Sequence, residues 1–200
     1  MTTTIRLAVA GCGTVGGSLL DLIERHGPGL ARRRGVRYEI ARVLVRDVTR
    51  PRSGAVPRDS LTSDLDEFLA TRADVVVEAI GGTDDAARIA RESLRRGRRV
   101  VTANKALLRV EGPALAALAR AHRDAGATLD FEAAVGGGVP IVRVLRESLG
   151  GHGLQRIRGV LNGTTNFILS RVERGVSFAD ALALAQRAGF AERDPSRDLN

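Results

Sequence analysis

Three features of this 200-residue chain combine residue types and spacings that do chemistry. The first is Lys105, the only lysine, since the other 30 of the 31 basic residues are arginines. An ammonium is a compact charge that can release its proton, whereas a guanidinium stays charged and forked. Lys105 follows Val100-Val101-Thr102-Ala103-Asn104, where an apolar run ends as a buried strand would. The second feature is Gly11-Cys12-Gly13-Thr14-Val15-Gly16, placed between an apolar run at 5–10 and the helical spacing of Val15, Leu19, Leu22 and Ile23. This is G-x-G-x-x-G between strand and helix, the setting that gives the motif its meaning. Gly11 permits the turn, Gly13 lets backbone N–H groups approach a pyrophosphate, and Gly16 lets helix and strand pack closely. Arg46-Asp47 is the third, at the end of an apolar run over 38–45. An acid about 20 residues past the glycines usually grips the adenine ribose. Glycine-bounded residues 27–35 read as an insertion that displaces this position to Asp47. Arg46, with Arg50 and Arg52 nearby, offers the other reading, receipt of a 2′-phosphate, and favours NADP with NAD as the alternative.

The elements that must hold these groups follow from the apolar pattern. Strands are expected at 5–10, 38–45, 74–80, 98–102 and 127–131. Helices are expected from Val15, over 63–69, over 83–96 with Gly97 as C-cap, and from near Pro113 to Gly126. Five alternations of strand and helix predict an α/β, doubly wound parallel sheet of Rossmann type. Ligands gather at the carboxyl ends of the strands in such sheets. Gly11 to Gly16, Arg46, Gly81, Gly82, Thr102 and Lys105 all fall there. The pattern changes after Phe131. A glycine-rich turn at 132–140 leads to a helix expected over 140–149, a linker at 150–153, and a strand over 154–161. A polar turn precedes a helical run from Phe167, and Ser177 caps a last helix ending at Gly189. The division expected is 1–133 for a nucleotide-binding domain and 134–200 for part of an α+β domain.

Composition narrows the partners. Nothing approaches the roughly 18 continuous apolar residues of a membrane span, and the N-terminus lacks the form of a signal peptide. The single cysteine, Cys12, fits a reducing cytoplasm. The net charge of +8 raises nucleic acid as a partner, but the arginines are scattered and five Phe with one Tyr give few stacking platforms. A small phosphate-bearing ligand suits the chain better.

The chain resembles the homoserine dehydrogenase family along essentially its whole length. The resemblance rests on Gly-Cys-Gly-Thr-Val-Gly at 11–16, Thr-Ala-Asn-Lys-Ala-Leu-Leu at 102–108 and Phe-Glu-Ala-Ala-Val-Gly-Gly-Gly-Val-Pro at 131–140. Gly-Val-Leu-Asn-Gly-Thr-Thr-Asn-Phe-Ile-Leu at 159–169 is the most specific stretch, and Gly-Phe-Ala-Glu-Arg-Asp-Pro at 189–195 opens the family signature. The resemblance implies NAD(P)-dependent interconversion of L-homoserine and L-aspartate 4-semialdehyde, on the route to threonine, methionine and isoleucine. It implies cofactor contacts from Gly13, Thr14, Val15, Arg46 and Gly189, and Lys105 beside nicotinamide and substrate. Thr164, Glu192 and Asp198 would hold substrate. Glu132, with the carbonyls of Val135, Gly137 and Val139, would hold a monovalent cation such as sodium. A homodimer is implied for the full-length form. These roles suit the chemistry, because a carboxylate such as Glu192 can bind an α-ammonium and a lysine can relieve charge developing on a reduced carbonyl oxygen. The family pattern continues beyond Asp198 to a second lysine, past Asn200, so little turnover is expected of residues 1–200 alone. A catalytically inactive NADP-binding module is the alternative. Exposed apolar surface along 154–161 is expected with either.

Overall fold

The structure is a computed structural model and describes residues 2–52, 56–159, 162–188 and 190. It divides into two compact units, Met1–Ala134 and Val135–Asn200. The first unit holds a six-stranded sheet formed by β1 (Thr3–Ala10), β2 (Val36–Leu44), β3 (Leu61–Thr62), β4 (Val75–Glu78), β5 (Arg99–Thr102) and β6 (Thr128–Asp130). The spatial order is β3-β2-β1-β4-β5-β6 and every pairing is parallel. That is the doubly wound dinucleotide-binding order, with its switch point between β1 and β4. The sixth strand, β3, is absent from the sequence reading, because two residues carry no periodicity.

Alternation along the strands builds a core on each side of the sheet. Leu7 and Val9 face Leu20 of α1 (Thr14–Arg34) and Val43, while Ala8 and Ala10 face Phe68, Leu69 and Ile89 on the other side. Phe68 belongs to α2 (Leu65–Ala70), and Ile89 to α3 (Asp84–Arg95). The methyls of Ala8 and Ala10 leave room for the Phe68 ring, which is 1% exposed. A further cluster joins Leu94 and Val100 to Leu107 and Leu115 of α4 (Lys105–Ala121) and to Leu129. Asp64 caps α2, accepting the N–H groups of Asp66 at 2.7 Å and Glu67 at 3.1 Å.

The structure corrects several local expectations. Residues 27–34, read as an insertion, are helical: α1 runs through Pro28 to Arg34 and ends at Gly35, which has a φ of 64° and donates to the Ala31 carbonyl. Arg32, Arg33 and Arg34 occupy its last turn, where cations complement the helix dipole. Pro113 lies inside α4 rather than near its start, because the Asn104 side chain caps the helix well before it, accepting the Leu107 N–H. The helix expected over 140–149 is short, with α-helical Ile141–Arg143 (α5) passing into a π-helical turn over Val144–Ser148. Residues 154–159 form no strand, and 160–161 lie outside the described residues. A strand needs a hydrogen-bonding neighbour, and none runs beside this stretch among the described residues. Leu154 and Ile157 are exposed there, as anticipated. The second unit's small core joins Ile168 of α6 (Gly163–Val172) to Ala181 and Ala185 of α7 (Phe178–Arg187), which Ser177 caps.

Phe68→Ala is expected to lower unfolding free energy by about 3–5 kcal/mol, because Ala8 and Ala10 cannot fill the space. Chemical denaturation measures it, and a loss below about 1 kcal/mol would mean that the Phe68 site collapses freely.

Candidate functional site

The carboxyl ends of β1, β4, β2 and β5 lie side by side, as the ladder bonds beyond the strands make plain. Gly11 donates to the Leu44 carbonyl at 2.9 Å, Ala79 to Ala10 at 2.8 Å and Ala103 to Glu78 at 3.2 Å. A cavity of about 570 Å³ opens at this edge, lined by Gly11, Cys12, Gly13, Arg46, Asp47, Arg50, Arg52 and residues 79–85, among others.

Its floor is a backbone cradle. Gly11 adopts a φ of 99°, and a Cβ there would fall 2.5 Å from the Ala79 carbonyl oxygen. A Cβ on Gly16 would fall 2.0 Å from the Gly11 carbonyl oxygen, so α1 rests directly on the turn beneath it. Gly13 differs, since a Cβ there would meet nothing within 4 Å. Gly13 is also the N-cap of α1 and supplies no side-chain cap. No side chain of the N-cap residue takes the first N–H groups of the 21-residue helix, an arrangement suited to phosphate.

The far end of the cavity is cationic. Asp47, the candidate for the ribose, is occupied in its own turn: its Oδ1 accepts the Thr49 N–H at 2.8 Å and the Thr49 hydroxyl at 2.6 Å. The Thr49 hydroxyl, then its backbone N–H, holds the Asp47 carboxyl below its ordinary pKa. Arg52 braces the same turn by donating to the carbonyls of Asp47 at 2.6 Å and Arg50 at 2.7 Å. Arg46 and Arg50 form no ion pair among the described residues. Asp84 and Asp85 line another part of the wall and occupy the first turn of α3, where acids suit the helix dipole.

Gly11, Gly13, Arg46 and Gly81 therefore share one cavity. Thr14, Val15 and Gly16 form the first turn of α1 beside it, with Val15 55% exposed. Thr102 is fully buried, and its hydroxyl is used internally, donating to Glu78 and accepting from the Asn104 N–H. Lys105 is exposed at the first position of α4, immediately after the strand end, and does not line the cavity. Glu132 begins a 3-10 turn in the first unit, and Val135, Gly137 and Val139 belong to the second. Thr164 lies in the first turn of α6, its hydroxyl donating to the Phe190 carbonyl. Gly189, Glu192 and Asp198 lie outside the described residues. No group of three or more His, Cys, Asp or Glu suited to a metal occurs among the described residues.

The sequence reading missed Glu78, the last residue of β4 and fully buried. Its signal was an acid closing an otherwise apolar strand, Val75-Val76-Val77-Glu78. A second concavity, of about 520 Å³, lies at the opposite edge of the sheet and includes Arg96 and Arg98. Both guanidiniums donate to the Leu69 carbonyl near the end of α2, so they serve that helix terminus. Burial, and then the Arg96 charge, push Arg98 below arginine's usual pKa.

Comparison with known proteins gives a consistent result. A family model described as the NAD binding domain of homoserine dehydrogenase matches residues 11–132, and one described as homoserine dehydrogenase matches 140–200. The homoserine dehydrogenases of Corynebacterium glutamicum and Pseudomonas aeruginosa are 41% and 40% identical over 98% of this chain. The chain spans 44% of the length of each. Among solved structures, a homoserine dehydrogenase from Thiobacillus denitrificans superposes with a TM-score of 0.81 at 37% identity, covering 98% of this chain and 45% of that one. A hyperthermophilic archaeal homoserine dehydrogenase in complex with NADPH gives 0.80 at 26% identity, covering 98% and 65%.

The glycines are separable by experiment. Gly13→Ala is expected to leave the denaturation midpoint nearly unchanged while weakening dinucleotide binding by about tenfold or more, since its methyl occupies the anion's approach. Gly16→Ala is expected to destabilise the fold itself by about 1–3 kcal/mol through overpacking against Gly11. Equal behaviour of the two variants in denaturation and in calorimetric titration would contradict this division.

Proposed function

The chain belongs to the homoserine dehydrogenase family, and from that premise we propose that it provides the cofactor-binding half, and the beginning of the substrate region, of an NADP-dependent enzyme interconverting L-homoserine and L-aspartate 4-semialdehyde. The observation that carries the cofactor reading is the single cavity that joins the Gly11–Gly13 cradle to Arg46 and Arg50. A dinucleotide presents two anionic regions, a pyrophosphate and, in NADP, a 2′-phosphate, and the two ends of the cavity match them in chemistry. With its Oδ1 engaged by Thr49, Asp47 is drawn into its own turn and is less suited to a ribose 2′-hydroxyl than a carboxylate held by no such turn. Arg46 and Arg50 instead offer charge-assisted donors to phosphate. The archaeal relative described in complex with NADPH supports the same class of ligand.

When bound, the nicotinamide exchanges hydride with the carbon that is carbonyl in the aldehyde and carbinol in homoserine. The protein's task is position and field. The backbone N–H groups at the start of α1 would hold the pyrophosphate, and Arg46 and Arg50 would hold the adenosine end. Lys105, at the start of α4 and the chain's sole ammonium side chain, would face the oxygen on which charge develops and donate a hydrogen bond to it. Thr164, Glu192 and Asp198 belong to the substrate reading on the strength of the family pattern, and the second unit to substrate binding and dimerisation.

Two measurements check the proposal. Arg46→Ala is expected to weaken NADPH binding by about 10- to 100-fold, the worth of a lost charge-assisted hydrogen bond, while changing NADH affinity by less than about threefold. Equal losses for both cofactors would remove the 2′-phosphate assignment. In protein spanning the family's full length, Lys105→Arg is expected to fold normally and to lower homoserine-dependent NADP reduction by about 100-fold or more. Unaltered turnover in that variant would remove Lys105 from the reacting centre.

A further inference from the structure

Glu78 takes no part in the cradle or in the chemistry just described, yet its carboxyl is bonded on both oxygens. It is fully buried at the end of β4. Its Oε2 accepts from the Thr102 hydroxyl at 2.5 Å. Its Oε1 accepts the Ile80 N–H at 3.0 Å and, at a longer 3.4 Å, the Asn104 side-chain amide. Asn104 is itself buried, and its Nδ2 also donates to the Gly82 carbonyl at 2.7 Å, while its Oδ1 accepts the Leu107 N–H at 3.0 Å. The Thr102 oxygen, its hydrogen given to Glu78, accepts the Asn104 N–H at 3.0 Å. The end of β4, the turn at Gly82, the end of β5 and the first turn of α4 are thus joined through the Glu78 carboxyl and the Asn104 amide that bonds to it.

The types of these groups fix their directions. Glu78 Oε1 and the Gly82 carbonyl are both acceptors here, so the Asn104 amide must turn its nitrogen toward them. Its oxygen is then left for Leu107, and that contact is the N-cap of α4. A residue needed only to fill this space would be better as leucine, because a buried carboxyl is costly unless its oxygens are met. What Glu78 adds over leucine is orientation of donors that lead, through Asn104, to the residue next in the chain, Lys105. We propose that Glu78 is a positioning residue for the reaction. Through Thr102 and Asn104 it sets where α4 begins, and so the point from which Lys105 reaches the carbonyl oxygen, and it anchors Gly82 on the wall of the cofactor cavity. The proposal rests on the reading of Lys105 as a group at the reacting centre.

Lys105 makes the test direct, because it carries the only side-chain amine of the chain. The 200-residue protein is labelled with an amine-acetylating reagent, with and without saturating NADPH, and the peptide holding Lys105 is quantified separately from the Met1 amine. Amide hydrogen exchange is followed in parallel over 102–108 and over Thr3–Ala10. Glu78→Ala is expected to raise exchange over 102–108 by about tenfold relative to Thr3–Ala10, and to let acetylation of Lys105 proceed under NADPH at the unprotected rate. Glu78→Gln keeps an oxygen for Ile80 and Asn104 and a donor for the Thr102 oxygen, and is expected to stay within about threefold of the unaltered protein in both readouts. Thr102→Val, which cuts the Oε2 bond at nearly constant volume, is expected to raise exchange over 102–108 by about threefold, and it decides the matter should Glu78→Ala fail to fold. No change over 102–108 in either disrupting variant, or an equal rise in every segment, would overturn the proposal. If NADPH binds the unaltered protein without protecting Lys105, it is the placement of Lys105 that fails, while the exchange over 102–108 still decides whether Glu78 fixes the start of α4.

Discussion

The contact on which the rest of the first unit depends is backbone against backbone. At Gly16 the axis of α1 comes so near the turn at Gly11 that a methyl would lie 2.0 Å from a carbonyl oxygen, and Gly11 in turn lies against Ala79 beyond β4. Side chains therefore do not set the spacing between helix, first strand and fourth strand. Close approach aims the start of α1 at the switch point of the sheet, and the helix ends there without a side-chain cap. The small residues Ala8 and Ala10 repeat the arrangement on the other face, where they leave room for Phe68. One constraint, close packing through residues with little or no side chain, thus produces both a dense two-sided core and an open edge at a helix start that no N-cap side chain covers.

A second layer of order is polar. Strand ends in a parallel sheet leave backbone groups and connecting turns that nothing in the ladder orients. In this chain the Glu78, Thr102 and Asn104 side chains take up those groups between β4, β5 and α4. Cationic side chains complete the cavity from the β2 side, with Arg52 holding the turn at Asp47 in shape and leaving Arg46 and Arg50 free of acids among the described residues. The division of labour is physical: apolar spacing builds the frame, buried hydrogen bonds orient the rim, and unpaired charge defines the ligand.

Much of this was legible in the sequence, for reasons particular to each element. Strands β1, β2, β4, β5 and β6 are apolar runs bounded by glycine or charge, and their alternation with helices leaves a parallel doubly wound sheet as the natural arrangement. The cradle was legible because each of its glycines answers a different steric demand. Strand β3 was not, since Leu61 and Thr62 acquire strand character only through pairing with Val43 and Leu44. The start of α4 was misjudged because Pro113 drew the boundary toward itself, although Asn104 followed by Lys105 already carried an N-cap signal. Residues 154–159 show the opposite error, in which an apolar pattern suggests a strand where no neighbour among the described residues stands to pair with it. Glu78 stayed hidden because its significance lies in partners 24 and 26 residues away. The conformation of Asp47, which decides its availability to a ribose, depends on the Thr49 hydroxyl, and nothing in the spacing reveals that rotamer.

The central claim is that the carboxyl edge of the sheet, from the glycine cradle to Arg46, is where a nicotinamide dinucleotide binds. Backbone amide chemical shifts of the isotopically labelled chain, recorded during titration with NADPH, test it directly. The account predicts saturable shifts centred on Gly11 to Gly16, Arg46, Asp47, Ala79 to Gly82 and the residues around Lys105. Shifts centred instead on Arg72 to Asp74 and Arg96 to Arg99 at the opposite edge, or no saturable shifts, would contradict it.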